Sequence, residues 1–199
     1  YDYEPVPADD SLTARAARRG VSPWQEALEA MLECGGKRLL THTFENYYDG
    51  DLEVIRTMLA DDATIIGLGD GGAHVCTICD SSAPTFLLTH WARDRRRGAR
   101  LPLEFLVNKQ TRATALAYGL TDRGLLAPGL RADINIIDFD ALGLTMPEVV
   151  YDLPAGCKRL LQKGRGYRHT FLAGQETLCD DTPTGVLAGR LIRTQAVQG

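Results

Sequence analysis

The sequence predicts an α/β chain that gives way, near residue 120, to a mostly β portion. Three observations carry that prediction. Residues 37–68 read strand, loop, helix, strand, one βαβ unit of the kind that builds parallel sheets. The short apolar run Thr64–Leu68 drives into Asp70, followed at once by Gly71 and Gly72, which sets a carboxylate at the carboxyl end of a buried strand. From Leu120 onward, glycines and prolines punctuate short apolar runs, which is the texture of β-structure.

Composition bounds the answer. The chain has 199 residues, 44% hydrophobic and 24% charged, ordinary for a globular protein and enough for one domain or two small ones. A formal net charge of −4 supplies no basic field to attract nucleic acid. No run of about 18 apolar residues exists, so no membrane span is expected. The opening YDYEPVPADD has neither the basic nor the apolar region of a signal peptide. Without an initiator Met, it reads as loop sequence from within something longer. The five cysteines, Cys34, Cys76, Cys79, Cys157 and Cys179, are odd in number and irregularly spaced, which predicts free thiols in a reducing cytoplasm. Cys76 and Cys79 form a CxxC pair without the second pair that a structural zinc site needs. The pair lies in a loop rather than at the start of a thioredoxin-like helix, so it reads as incidental.

The elements follow in order. Residues 11–20 predict a short helix, capped by Ser11 and ended by Gly20. Ser22 caps the next, with Pro23 at its first position and Gln25 completing a capping box. In that helix Trp24, Ala27, Leu28, Met31 and Leu32 form an apolar stripe expected in the core, stopped by Gly35-Gly36. Lys37–Phe44 reads as a strand and Asn46-Tyr47 lies in the loop after it. Asp51 caps a helix to about Ala60, with Leu52, Ile55, Met58 and Leu59 inward. A right-handed crossover then puts the Asn46 loop and the Asp70 loop on one rim. Pro84 opens a helix carrying Phe86, Leu87, His90 and Trp91, in which His90 reads as a hydrogen-bonded core histidine. His42, within a predicted strand, reads as packing. Five arginines between Arg93 and Arg100 read as a solvated loop or subunit contact rather than a phosphate site. Pro102 starts a helix to about Tyr118. Beyond it, 132–138 alternates as a half-buried strand, and 167–179 reads as a hairpin turning at Gly174-Gln175.

The blocks GLGDGGAH, LTHWARDR, LPLEFLVNKQTRATALAYGL and TDRGLLAPGLRADINIID, with FLAGQETLCDDTPTGVLAGRLIR near the end, resemble the carboxy-terminal third of N-acyl-D-amino-acid deacylases, of the amidohydrolase superfamily. The resemblance covers nearly the whole chain. It implies the last strands and helices of a TIM-like (β/α)8 barrel over residues 1–120, then part of a small β-sandwich over 121–199. Lys37–Phe44 would be the seventh barrel strand and Thr64–Leu68 the eighth. Asp70 would be the catalytic aspartate, touching both the metal, expected to be zinc, and the water it activates. His74, on the same loop, and Asn46 and Tyr47, on the neighbouring one, are candidate contacts for an N-acyl amino-acid substrate. A metal-bound water has its pKa lowered to about 7, and a carboxylate beside it can accept that proton and return it to the departing nitrogen.

Departures matter as much. The family opens its barrel with His-x-His, whereas His42, His74, His90 and His169 nowhere show that spacing. Zinc needs three or four strong ligands, so Asp70 alone cannot hold it, and the chain by itself is expected to be inactive. A scaffold or interaction module that keeps the family's tail, or a dihydropyrimidinase-like cyclic amidase, are the competing readings. Strand edges and apolar helix faces left open by part of a barrel predict self-association.

Overall fold

The computed structural model describes residues 2–43, 45–67, 69 and 71–193. They form two compact units, Tyr1–Ala60 and Asp61–Gly199.

The first unit is helical: α1 (Pro7–Asp10), α2 (Leu12–Arg19), α3 (Pro23–Gly36) and α4 (Glu53–Ala60). Its caps are those the sequence predicts. Ser11 Oγ accepts from Ala14 N at 3.1 Å, and Gly20 closes α2 in the left-handed conformation. Ser22 Oγ accepts from Gln25 N at 3.1 Å. The Gln25 side chain turns instead to Glu29 (2.9 Å), so only half of the capping box forms. Asp51 Oδ1 accepts from Glu53 N at 2.8 Å ahead of α4.

The predicted core stripe of α3 is not a core. Trp24 is 85% exposed, and Leu28, Met31 and Leu32 are exposed too. The helix buries its other side, where Ala30 packs and Glu26 is wholly enclosed. Glu26 is neutralised there by Arg15, whose Nε lies 2.8 Å from Oε1, and by Arg19 on Oε2. A carboxylate enclosed this way is stable only with such partners, and the pair fixes α2 on α3. In α4, Leu52, Ile55 and Leu59 are half-buried and Met58 is exposed.

Neither predicted barrel strand forms as a strand. Residues 38–43 and 64–67 have no ladder to any described strand. Leu39 and Ile65 stand 40% and 44% exposed, and His42 is exposed rather than packed. Parallel strands take their order from ladders with neighbouring strands and from helices over their faces. Neither run finds such a neighbour among the described residues. Phe44 and Leu68, the predicted ends of these strands, lie outside the described residues.

The second unit packs helices on β-structure. Helix α5 (Ala83–Thr89) runs on through a π-helical turn, His90–Asp94, and α6 (Leu103–Asn108) runs on through another, Lys109–Ala113, into α7 (Thr114–Ala117). Strands β1 (Ile134–Ile137), β6 (Tyr167–Leu172), β7 (Gln175–Cys179) and β8 (Thr182–Pro183) form one antiparallel sheet in the order β1-β6-β7-β8. Two short ribbons pair β2 (Gly143–Leu144) with β5 (Gly164–Arg165), and β3 (Glu148–Val150) with β4 (Arg159–Leu161). The β6–β7 turn has both central residues at positive φ, Ala173 at 52° and Gly174 at 77°, which matches the twist of a two-residue hairpin.

The core of this unit is apolar: Leu87, Leu88, Trp91, Leu101, Leu106 and Leu142 are all buried. Helices and strands share it. Thr85 Oγ1 lies 2.6 Å from the Tyr167 hydroxyl, and Arg93 donates to the Leu142 carbonyl at 2.7 Å. The change of element type near residue 120 therefore falls inside one compact unit, whereas contacts thin out at residue 60.

The arginine run is not a solvated loop throughout. Arg95 is buried, its guanidinium 4.8 Å above Trp91 and donating to the Ala99 carbonyl at 2.8 Å. Arg93 sits 5.3 Å over the Phe139 ring. A guanidinium is weakly hydrated and has five donors in a plane, so it can stack on a ring while serving carbonyls.

Candidate functional site

The candidate site is the loop after residues 64–67, and its position is set from both ends. Upstream, Lys109 is only 5% exposed. Its Nζ donates to the Asp61 and Thr64 carbonyls, each at 2.6 Å, and to Thr64 Oγ1 at 3.1 Å. Three oxygens around one buried ammonium satisfy all its donors, so this lysine fixes where the 64–67 run begins. Its signal in the sequence was one of two basic residues, with Arg112, inside a helix rich in apolar side chains. Charge alone gave no reason to expect it indoors.

Downstream, the loop is pressed onto the 3₁₀ turn Asp80–Ser82 that leads into α5. A Cβ on Gly69 would fall 2.4 Å from the Asp80 carbonyl oxygen, and one on Gly71 would fall 2.9 Å from Ser81 Cβ. Gly71 N donates to Gly69 O at 2.5 Å. The glycines flanking position 70 are thus required by backbone approaching backbone. Further on, Leu160 N donates to the Val75 carbonyl at 2.7 Å, and Cys76 Sγ lies 3.3 Å from the Lys158 carbonyl. These contacts tie the loop to β4. Ser82 Oγ donates to Gln162 Oε1 at 2.6 Å.

The residues singled out from sequence are placed as follows. Asp70 lies outside the described residues. His74 is exposed in the second unit, at φ 43°, and its carbonyl accepts from Thr77 N (2.8 Å) and Ile78 N (3.0 Å). Asn46 is exposed in the first unit, at φ 59°. Tyr47, also there, has a buried ring, and its hydroxyl donates to the Pro5 carbonyl at 2.6 Å. The tyrosine phenol therefore already serves the fold of its own unit. His90 is buried, stacked on Phe86 with centroids 4.8 Å apart and edge-on to Trp91 at 5.0 Å.

The described residues of the loop do not by themselves make a metal cage. Around 69–79, no three ligating groups among the described residues converge, fewer than the three or four strong ligands of a zinc site. All five cysteines are free thiols. Burial, with Asp80 beside it, pushes the Cys79 thiol above its ordinary value, the opposite of a redox-active thiolate. Among the described residues, no helix is long and apolar enough to cross a membrane.

Comparison with known proteins agrees with this architecture. The model of the amidohydrolase family matches residues 4–178. An aspartate-to-alanine variant of D-aminoacylase in complex with copper chloride is similar in structure, at 25% sequence identity and a TM-score of 0.51. The match covers 92% of this chain and 34% of that one. Two further D-aminoacylase structures, one from work on its binuclear metal centre, match at 25% identity and a TM-score of 0.47, over 88% of this chain and 32% of theirs. This chain thus spans about a third of the length of the D-aminoacylases it matches. No curated protein sequence matches it. With the family model spanning nearly all of the described residues, the chain belongs to the amidohydrolase family.

Proposed function

We propose that this chain forms the closing barrel segments and the following β portion of a metal-dependent hydrolase that cleaves the amide of N-acyl-D-amino acids. One observation carries the reading: 92% of the chain aligns on D-aminoacylase at 25% identity and a TM-score of 0.51, within a family match over residues 4–178. The exposed run 38–43, the half-exposed run 64–67 and the apolar face of α3 support it, because all three are surfaces that the remainder of a barrel would cover. They equally support self-association of this chain when it is alone.

In this reading Asp70 holds the proton. Its carboxylate accepts a proton from the attacking water and delivers it to the amide nitrogen as the C–N bond breaks, the two halves of general base and general acid catalysis. In this reading His74 and Asn46, each exposed on its own loop, are candidate hydrogen-bond partners of the substrate. A metal ion supplies Lewis acidity when bound, and its ligands come from outside the described residues of this chain. The chain alone is therefore inactive.

The test is release of free amine by the full-length enzyme from N-acetyl-D-amino acids and their L enantiomers, followed with an amine-reactive dye. Turnover restricted to the D series is expected. Equal rates on both series, or activity only on cyclic amides, would overturn the reading.

A further inference from the structure

Away from that loop, the β6–β7 hairpin gathers three unlike metal-ligating side chains. His169, Glu176 and Cys179 are each half-buried, and one ligand atom from each lies within 4.8 Å of the others. A local irregularity brings them together. His169 pairs with Cys179 and Thr170 with Leu178, but Phe171 pairs with Glu176, so Thr177 is an extra residue. In a regular strand, residues three apart point to opposite faces. The bulge at Thr177 cancels that alternation and returns Glu176 to the face of Cys179. Directly opposite, His169 projects on the same face, with its Nδ1 2.6 Å from Glu176 Oε1. The extra residue is fixed by hydrogen bonds: Thr177 Oγ1 donates to the Thr170 carbonyl at 3.1 Å, and Thr184 N donates to the Thr177 carbonyl at 3.0 Å. Bulges recur beside functional sites because they re-aim side chains.

We propose that this hairpin is a binding site for a borderline divalent transition-metal ion of the zinc and cobalt class, held by His169, Glu176 and Cys179 with a fourth position open to water. The donor set is one imidazole nitrogen, one thiolate sulfur and one carboxylate oxygen. It suits zinc and its neighbours and disfavours magnesium and calcium, which take oxygen ligands. An ion between the three needs only modest movement: the 2.6 Å contact of His169 with Glu176 opens to about 3.3 Å in a tetrahedral site with bonds near 2.0–2.1 Å. On binding, the metal replaces the proton on Cys179 Sγ, which passes to solvent. No cation of the hairpin competes for the site, because Arg168 is engaged by Asp138 (2.8 Å) and Asp180 (3.3 Å). The bland alternative is a cross-strand His–Glu ion pair with a cysteine nearby. The site is independent of the deacylase reading, since its readout needs no turnover.

The experiment is titration of the full chain with cobalt chloride under argon, read by near-ultraviolet and visible absorption. The wild-type chain is expected to give a thiolate-to-cobalt charge-transfer band saturating at one equivalent and abolished by zinc. Cys179→Ser should lose the band while keeping the wild-type circular dichroism, and Cys76→Ser should retain it. Glu176→Gln, which preserves a hydrogen bond to His169, should weaken cobalt binding at least about tenfold. Absence of the band in folded wild-type protein overturns the proposal, as does its persistence in Cys179→Ser. If Cys179→Ser does not fold, His169→Gln takes its place: a band of unchanged affinity in that variant is equally contradictory.

Discussion

The two units of this chain solve the same packing problem in opposite ways. The second encloses large apolar side chains, with Trp91 1% exposed and Leu106 and Leu142 fully buried. The first encloses little that is apolar beyond Ala16, Ala30 and Tyr47. At its centre are instead two carboxylates, Glu4 and Glu26, and Trp24 is left outside. Both contain helices with regular apolar stripes. What separates them is whether a stripe has something to pack against. Helical periodicity tells which residues share a face, and the burial of that face depends on a neighbour that periodicity does not name.

That contrast can be broken by mutation, and the largest effect lies in the second unit. Trp91→Ala removes the ring under Arg95 as well as its own packing and is expected to cost about 3–5 kcal/mol. Trp24→Ala should change stability by no more than about 0.5 kcal/mol. Urea denaturation followed by circular dichroism compares the two, and equal losses would erase the distinction. Next is Lys109→Met, which matches the stem in length but strips hydrogen bonds from the Asp61 and Thr64 oxygens. A loss of about 2–3 kcal/mol is expected, with faster hydrogen exchange confined to the segment after residue 61. Retained protection there would show that the lysine does not position the loop. Smaller again is Glu26→Gln, about 1–2 kcal/mol, because Arg15 and Arg19 are partly exposed and regain water; a thermal melt measures it.

The smallest effect is that of pH. In the second unit Asp94, Asp122, Asp138 and Asp152 are held below the ordinary aspartate range, chiefly by hydrogen bonds from Arg93, Arg123, Arg168 and Arg159. In the first unit Glu29 is lowered, by its hydrogen bonds from Gln25 and then Arg19. A depressed folded-state pKa means that the unfolded chain binds more protons as acid is added. The stabilisation is therefore complete above the ordinary values of 3.8 for aspartate and 4.5 for glutamate and is lost as pH falls below them through the lower folded-state values. Melting temperatures should be flat from about pH 8 to 5 and fall below about pH 4, more steeply for the second unit. Because these pairs are exposed, salt should blunt the fall.

Much of the local structure was legible. Ser11, Ser22 and Asp51 cap the helices they were expected to cap, Gly20 ends α2 in the left-handed conformation, and the expected hairpin forms, turning one residue early at Ala173-Gly174 rather than at Gly174-Gln175. These are short-range effects, decided by a few neighbouring residues. The failures are long-range. Lys37–Phe44 and Thr64–Leu68 have strand-like composition, yet a parallel strand needs neighbours that their own residues do not contain. The arginine run looked like solvated surface because charge suggests exposure, whereas the rings of Trp91 and Phe139 give Arg95 and Arg93 places to stack. The His169, Glu176 and Cys179 group was hidden by spacing: Glu176 and Cys179 are three apart, which on an unbulged strand separates them. In the candidate site, the glycines around position 70 were legible as a tight turn, while the lysine that anchors the preceding run was not.

The deacylase reading rests on the proton-carrying role of one carboxylate, and a single comparison tests it. Amine release from an N-acetyl-D-amino acid is measured for the full-length enzyme and its Asp70→Asn variant at matched metal content. A drop in kcat of about 10²–10⁴ is the predicted result; turnover at the wild-type rate in the variant would contradict it.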